Sequence, residues 1–233
     1  MSDKVAVLIP TLKRPHKIRE NFDNLMTTTD PDLMDIVYIV EPDDIASLDA
    51  WYGLPEFKSI LVTNQRVRSF AGAINTAVRL LPHKYFFGAS DDFYFHDNWL
   101  PPLLELSKDY GMVGPNDLGN ESVAKGELAV SYLIRRDYVP RACIGFPENL
   151  LYEGYRHNYT DTELTDTAIF NGEYKYCPES IVEHMHPCWG KSNMDETYQL
   201  SFDVGDTLYD KMLYMERRPL WGLTPEEDTE ILF

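Results

Sequence analysis

Short apolar runs alternate with helix-spaced apolar residues through residues 1–90, and this rhythm limits the fold more than any other feature of the sequence. The run at residues 5–10 is apolar throughout, as expected for a strand that is covered on both faces. After it, Ile18, Phe22 and Leu25 have the spacing of one helix face. Further strands are predicted at residues 35–40, 59–62 and 85–89, with helical segments between them. The pattern is typical of parallel strands joined by crossover helices.

The rhythm changes beyond residue 97, where strands and helices no longer alternate. The expected elements are a helix near residues 98–110, a short strand at 112–113, an extended stretch at 128–134, a helix at 160–170 and a final strand at 180–186. Thr160 has the side chain and the position of a helix cap. We therefore predict a mixed sheet here, fused to the first half as one domain over residues 1–190. The remainder, 191–233, contains a helix predicted over residues 195–218 and an acidic tail at 226–228.

The charge balance and the apolar content exclude several classes of protein. With 44% apolar and 25% charged residues, the chain can bury a sizeable core. Its net charge of −17 excludes a broad basic surface for nucleic acid or anionic membrane. No apolar run approaches the ~20 residues of a membrane span, and the N-terminus lacks the pattern of a signal peptide. Three cysteines, an odd number, suit a reducing compartment, so we expect a cytoplasmic protein.

Polar residues follow directly after the predicted strands, at the edge where open α/β sheets bind their ligands. These residues are Pro10 and Thr11 after the first strand, Glu41 after the second, 64–68 after the third, and Asp91 and Asp92 after the fourth. Two adjacent carboxylates at the end of a buried strand repel each other, and a divalent cation would relieve that repulsion. A turn or a helix cap is the alternative reading of the acidic pair. This edge of the sheet is therefore the first candidate for a metal site.

Two histidines near the end of the final predicted strand are the second group of candidate metal ligands. His184 and His186 share one face of a strand because side chains at positions i and i+2 point the same way. With Asp92 they would form the mixed nitrogen and oxygen set of a transition metal. We favour His186, as the last strand residue before Pro187. A structural zinc site with Cys177 and Cys188 is the alternative, although the sequence lacks a paired CxxC motif there.

Taken together, these residues resemble those of a known enzyme family. The shared motifs are Ile9-Pro10-Thr11, Glu41, the segment at residues 70–75, Ser90-Asp91-Asp92, and Asp161-Thr162-Glu163-Leu164 followed by a late histidine. Their order and spacing resemble the GT-A fold glycosyltransferases of family 2 across residues 4–190. The resemblance implies an α/β fold with three layers, α/β/α. A Rossmann-like half that binds a sugar nucleotide (1–97) would be fused to a mixed-sheet acceptor half (98–190).

The resemblance also implies roles for single residues. Thr11 and Glu41 would contact the nucleoside, Asp91 and Asp92 would stand in the place of the family's DxD metal motif, and Asp161 would be the general base. The donor would be a nucleoside-diphosphate sugar, with a UDP-sugar as the first expectation, and the cofactor Mn²⁺ or Mg²⁺. The remaining candidates for the donor site are Pro10, Asn75 and two arginines, Arg66 and Arg68, which would lie near the phosphates unless they are solvated surface residues.

An aromatic and polar loop before Asp161 is of the kind that binds a sugar or an acceptor. We predict that the acceptor contacts come from this loop and from one later tryptophan, namely Tyr155, Arg156, His157, Asn158 and Trp189.

The predicted reaction is a metal-dependent, inverting transfer of a hexosyl or pentosyl group to an acceptor hydroxyl. The acceptor classes left open are a glycan, a small molecule, a protein side chain and a hydroxylated DNA base flipped into the loop. Two other functions are also left open. One is a metal-dependent phosphoesterase or nucleotide-handling enzyme, which normally needs more clustered acids and histidines. The other is a catalytically silent module that binds a sugar nucleotide.

Overall fold

The structure is a computed structural model that describes residues 2–56, 58–201 and 204–223 of the chain. In chain order its strands and helices are β1 (Ser2–Thr11), α1 (Pro15–Thr28), β2 (Met34–Val40), α2 (Ile45–Tyr52), β3 (Ser59–Thr63), α3 (Phe70–Leu80), β4 (His83–Gly88), β5 (Phe93–Phe95), α4 (Leu100–Leu106), β6 (Met112–Asn116), α5 (Glu121–Ala124), β7 (Tyr132–Arg135), α6 (Val139–Ala142), α7 (Thr160–Phe170), β8 (Tyr174–His184), α8 (Glu196–Ser201) and α9 (Val204–Arg217). Short 3-10 turns at Arg136–Tyr138, Pro187–Trp189 and Arg218–Trp221 complete the order.

The strands form one mixed sheet in the order β3-β2-β1-β4-β7-β6-β8-β5. The first four of these are parallel to one another, as the rhythm of residues 1–90 predicts. Beyond them, β7 is antiparallel to β4 and β6 is antiparallel to β7. Strand β8 runs parallel to β6 and then pairs antiparallel with β5, so it joins two parts of the sheet. The predicted mixed second half is thereby confirmed.

Helices cover both faces of the sheet and give the predicted three layers. On one face, Val5, Val7 and Ile9 of β1 pack in the same core as Ile18 and Phe22 of α1. On the other face, alternate residues of the same strand pack against α3 and α7 in a second core. A strand between two apolar layers has to be apolar on both sides, which explains the unbroken run at residues 5–10. The α/β class and the three-layer arrangement are confirmed.

Several predicted boundaries are wrong. The final strand is β8, which begins at Tyr174 and ends at His184 instead of spanning residues 180–186. It stops there because β5 pairs only as far as His184 and because a 3-10 turn begins at Pro187, which has no N–H to donate. The cap position of α7 is Tyr159, with a left-handed φ of 67°, so Thr160 is the first helical residue and does not cap the helix. Helix α4 is shorter than the helix predicted near residues 98–110.

The helix predicted over residues 195–218 corresponds to α8 and α9, and residues 202–203 between them lie outside the described residues. The acidic tail at 226–228 also lies outside them. Helix α9 returns to the body of the protein, where Tyr214 and Trp221 pack with Tyr155 in a small aromatic core. No helix within the described ranges is long and apolar enough to cross a membrane.

Candidate functional site

A cleft of about 460 Å³ lies at the carboxyl ends of β1, β2 and β4, where the strand-end rule places a ligand site. Most of the residues predicted for the site line this cleft: Pro10, Thr11, Glu41, Arg68, Asp91, Asp92, Arg156, His157, Asn158, Asp161, His184 and His186. Loops after the strands converge here from distant parts of the sequence. The cleft therefore brings the predicted donor, metal, base and acceptor groups together.

Asp91 is a buried carboxylate held by two donors at the floor of the cleft. Thr11 donates its hydroxyl to Asp91 Oδ2 at 2.8 Å, and Arg14 donates from Nη1 to Oδ1 at 2.8 Å. Burial and the adjacent charge of Asp92 raise the pKa of Asp91, while Arg14 and Thr11 partly oppose that rise. Thr11 is the last residue of β1 and Arg14 lies in the loop after it, so the end of this strand supplies the first partners of the acidic pair.

One side-chain oxygen of Asp92 has polar partners, and the other has no hydrogen-bond partner among the described residues. Its Oδ2 accepts a hydrogen bond from the Tyr198 hydroxyl at 2.5 Å and lies 3.3 Å from His184 Nε2. Burial alone would raise the pKa of Asp92, but His184 and hydrogen-bond donors hold it below its usual range. Its Oδ1 is buried and has no hydrogen-bond partner among the described residues. A buried anionic oxygen without a partner is costly, and a cation is the partner that would suit it.

The residues at this point fit a divalent cation that a substrate helps to hold. Within the described part of the chain, no group of three or more His, Cys, Asp and Glu side chains is arranged to bind a metal. The protein instead offers the carboxylate of Asp92 with His184 beside it. Mg²⁺ is commonly bound through one or two carboxylates together with substrate phosphates. The same finding gives no support to the zinc alternative with Cys177 and Cys188.

The two candidate histidines differ in how their rings are engaged. His186 lies in the loop after β8, and its Nδ1 accepts a hydrogen bond from the Cys188 N–H at 3.2 Å. Burial and the neighbouring His184 lower the pKa of His186 to about 4, so the ring is neutral. A neutral imidazole that accepts at Nδ1 carries its proton on Nε2. His186 would therefore have to give up this hydrogen bond to bind a metal through Nε2. The prediction favoured His186 as the last residue of the strand, and this is wrong because β8 ends at His184.

Asp161 lies in the first turn of α7 and faces the cleft. Burial raises the pKa of its carboxyl group above the usual range, although the backbone N–H of Thr162, at 2.8 Å from Oδ1, partly opposes the rise. A carboxylate with a raised pKa is a better proton acceptor at neutral pH. The chemistry open to Asp161 is thus proton transfer.

The loop of residues 156–158 is held from beneath by Asp210 of α9. The backbone N–H groups of Arg156, His157 and Asn158 all donate to this carboxylate, at 2.8, 2.8 and 2.7 Å. Asp210 has no exposed surface. Sequence reasoning did not find this contact because Asp210 lies more than fifty residues after the loop it holds.

At the end of the cleft near β2, Glu41 accepts a hydrogen bond from Asn64 Nδ2 at 2.7 Å and lies 3.5 Å from Arg68 Nε. Arg68 also pairs with Asp43 at 2.5 Å on the exposed side. The Glu41 carboxylate is thus oriented by two groups that come from the loop after β3. Its setting suits recognition of N–H donors on a bound base.

Four predicted site residues do not line the cleft. Arg66 turns away to pair with Glu153 and donates to Asn149 at 3.0 Å. Asn75 is buried and donates to the Leu151 carbonyl oxygen at 2.8 Å, so it supports a loop.

The other two are an aromatic pair from the predicted acceptor set. Tyr155 is buried and donates its hydroxyl to Glu163 at 2.7 Å. Trp189 lies against Gly119 with two-fifths of its surface exposed.

Sequence reasoning assigned no role at the site to three further residues: Arg14 and Tyr198, which line the cleft, and Asp195, which pairs with Arg14. Arg14 is 4% exposed and lies with its guanidinium 4.2 Å from the centre of the Tyr198 ring. The signal available for Arg14 was its place in the loop after β1, beside the predicted ligands Pro10 and Thr11. Asp195 and Tyr198 gave no such signal, because they come from the C-terminal segment.

The comparisons with known proteins agree with this architecture. No protein-family model and no curated protein matches the chain. A mannosyltransferase from Pyrobaculum calidifontis, solved with GDP-Man and Mn²⁺, matches with a TM-score of 0.60 and 15% identity over 94% of this chain and 73% of that one. A glucosyl-3-phosphoglycerate synthase from Mycobacterium tuberculosis, solved with Mn²⁺, UDP and phosphoglyceric acid, matches with a TM-score of 0.62 and 11% identity over 98% and 81%.

At these identities the likeness establishes the fold. The chain has the GT-A glycosyltransferase fold that the sequence resemblance implied.

The contacts of Asp210 predict a large effect on stability. Asp210→Asn keeps the size of the side chain but replaces one acceptor oxygen by an NH₂ group that faces backbone donors. Because hydrogen bonds to a charged group are worth about 1.5–3 kcal/mol each, we expect the free energy of unfolding to fall by about 2–3 kcal/mol in urea denaturation.

The matched control is Asp206→Asn, one turn earlier on α9, which removes a half-exposed ion pair with Arg156. This change should cost less than ~1 kcal/mol. Equal effects of the two substitutions would contradict the role given to Asp210.

Proposed function

We propose that the protein is a glycosyltransferase that moves a sugar from a nucleoside-diphosphate donor to an acceptor hydroxyl with inversion. One observation carries the proposal: Asp92, whose Oδ1 has no hydrogen-bond partner among the described residues, and Asp161 line the same cleft at the strand ends. Departure of a diphosphate needs a cation, and attack by a hydroxyl needs a proton acceptor. This cleft offers residues for both.

On the donor side, Asp92 and His184 would hold Mn²⁺ or Mg²⁺, with Asp91 fixing the surrounding chain through Thr11 and Arg14. When bound, the cation would supply positive charge to the leaving diphosphate. Glu41 would accept a hydrogen bond from the base at the other end of the cleft. A UDP-sugar and a GDP-sugar are the donors to test, since GDP-Man and UDP-Glc are bound by the structural relatives.

On the acceptor side, Asp161 would take the proton from the attacking hydroxyl. The loop of residues 156–158 would position the acceptor, because it lines the same cleft and is fixed by Asp210. A single displacement from the face opposite the diphosphate inverts the anomeric carbon. The net charge of −17 disfavours polyanionic acceptors, so a small molecule, a glycan or a protein side chain fits better. A single flipped DNA base needs only a local contact and stays among the acceptors to test.

The first test is nucleotide binding with and without metal. UDP or GDP should raise the melting temperature in the presence of Mn²⁺ or Mg²⁺, and much less with EDTA, because the cation would link Asp92 to the diphosphate. At one hundred times the dissociation constant the gain is about 2.7 kcal/mol. The same gain in EDTA would remove the metal from the proposal.

Product analysis with a sugar nucleotide then separates the alternatives. Release of inorganic phosphate without sugar transfer would indicate a phosphoesterase, and binding without any turnover would indicate a silent module.

The two histidines are predicted to differ in their effect on metal-dependent binding. His184→Ala should weaken nucleotide binding in Mn²⁺ more than His186→Ala, since His184 Nε2 already lies beside Asp92 whereas His186 is engaged with Cys188. Titration of each variant with UDP or GDP at fixed Mn²⁺ measures the ranking. The reverse order would mean that the loop after β8 rearranges when the metal binds.

The role of Asp161 predicts a loss of turnover without a loss of donor binding. Asp161→Asn keeps the size but cannot accept a proton, so sugar transfer should fall by roughly 10²–10⁴-fold. The dissociation constant of the nucleotide should barely change.

The pH profile gives a second readout for Asp161. The base must be deprotonated, so the wild-type rate should fall as the pH decreases through the pKa of Asp161, which burial places above the usual aspartate range. Parallel losses of binding and transfer in Asp161→Asn would assign the residue to the donor site instead. Retained configuration in the product would rule out the single displacement.

A further inference from the structure

Arg14 is a cation of the cleft whose guanidinium contacts two carboxylates that are about a hundred residues apart in the sequence, Asp91 and Asp195. Its Nη1 donates to Asp91 at the end of β4. Its other edge donates to Asp195, from Nε to Oδ2 at 2.8 Å and from Nη2 to Oδ1 at 2.9 Å. Asp195 lies 181 residues later in the sequence, just before α8. A contact this distant links the C-terminal segment directly to the floor of the proposed donor site.

The contact with Asp195 has the geometry that arginine also uses for phosphate. Two parallel N–H···O bonds from one guanidinium edge fit the oxygens of a carboxylate and of a phosphate equally well. The Asp195 side chain is 37% exposed, whereas that of Arg14 is 5% exposed. The carboxylate therefore approaches a buried cation from the solvent side.

Arg14 also has the right neighbour for a diphosphate. Its Nη1 lies 3.8 Å from Asp92 Oδ2, the carboxylate proposed to hold the divalent cation. A diphosphate bound to the outer edge of Arg14 would thus contact a guanidinium whose inner edge adjoins the carboxylate proposed for the cation. Both positive charges could then act on the same leaving group.

We propose that Arg14 binds the diphosphate of the donor, and that Asp195 is an internal stand-in for that phosphate which the donor displaces. The inference rests on the proposed function and adds a residue to its donor site. In the nucleotide-free protein, the segment Asp195–Tyr198 would thus occupy the edge of Arg14 that the donor needs, and it would compete with the donor for that edge.

Tyr198 packs on the Arg14 guanidinium and donates to Asp92, while two other attachments of this segment to the loop after β1 are weak. Glu196 lies 3.3 Å from Lys13 in an ion pair whose two side chains are both more than half exposed. Such pairs contribute little to stability. Thr197 donates one hydrogen bond to the Leu12 carbonyl oxygen at 3.1 Å. The Arg14–Asp195 pair is therefore the main ionic contact that a donor must replace, and a diphosphate carries more negative charge than one carboxylate.

The experiment measures the affinity of UDP and GDP by calorimetry in Mn²⁺, with no acceptor and no turnover. Asp195→Asn removes the competing charge, so the affinity should rise by roughly five- to tenfold, because more of the protein is then competent to bind. Arg14→Lys loses the bidentate edge, so the affinity should fall by about tenfold. The Asp195→Asn gain should disappear in the Arg14→Lys background, as expected for two residues that act through one contact.

The matched control is Glu196→Gln, which removes the same charge from the neighbouring position without touching Arg14. Its affinity should stay within about twofold of wild type, since its ion pair is exposed. An unchanged affinity in Asp195→Asn, or equal gains in both variants, would overturn the inference while leaving nucleotide binding intact. If neither wild type nor Asp195→Asn binds either nucleotide, the proposed function itself fails, and this inference with it. Should Arg14→Lys not fold, the comparison of Asp195→Asn with Glu196→Gln still decides the matter.

Discussion

The repulsion between two adjacent buried carboxylates, Asp91 and Asp92, is the constraint around which the cleft is arranged. Burial strengthens this repulsion because little water is present to screen it. The protein answers with polar partners from separate elements: Arg14 from the loop after β1, His184 from the end of β8 and Tyr198 from α8. These partners converge because β1, β4 and β8 all end near one edge of the sheet. One oxygen, Asp92 Oδ1, is left for a ligand among the described residues.

The C-terminal part of the chain, from residue 191 onward, contacts the cleft residues at two places. Asp195 reaches Arg14 on the proposed donor side, and Asp210 holds the backbone of the loop on the proposed acceptor side. Farther along α9, Arg217 forms a bidentate pair with the buried Glu163 of α7. The contacts of Asp195 and Asp210 are made with residues that line the cleft, Arg14 and the loop 156–158. Changes in this segment are therefore expected to act on binding as well as on stability.

The elements that sequence reasoning predicted well are those governed by local rules. The unbroken apolar run at residues 5–10 indicated a strand covered on both faces, and the polar residues after it pointed to the cleft, because the carboxyl ends of parallel strands meet at one edge. Local rules do not predict the pairing of Arg14 with Asp195, because it depends on where a segment distant in the sequence packs in the fold. They also did not separate Arg68, which lines the cleft, from Arg66, which turns to Glu153. Two residues apart in a loop, these side chains have no periodicity to fix their directions.

Helix α7 carries three acids within six residues, Asp161, Glu163 and Asp166. Their different surroundings decide which of them can act as a base. Glu163 is fully engaged, since Arg217 donates to both of its oxygens and Tyr155 donates to one. Asp166 accepts the hydroxyl of Tyr214 at 2.5 Å, which ties it to the aromatic core at the back of the helix. A carboxylate whose lone pairs already accept from charged donors is a poor base, because protonation would break those bonds. Among the described residues, Asp161 accepts side-chain hydrogen bonds from its neighbour Thr162; it faces the cleft, and burial raises its pKa. The first turn of α7 therefore places the one weakly engaged acid of this helix where an acceptor hydroxyl would approach.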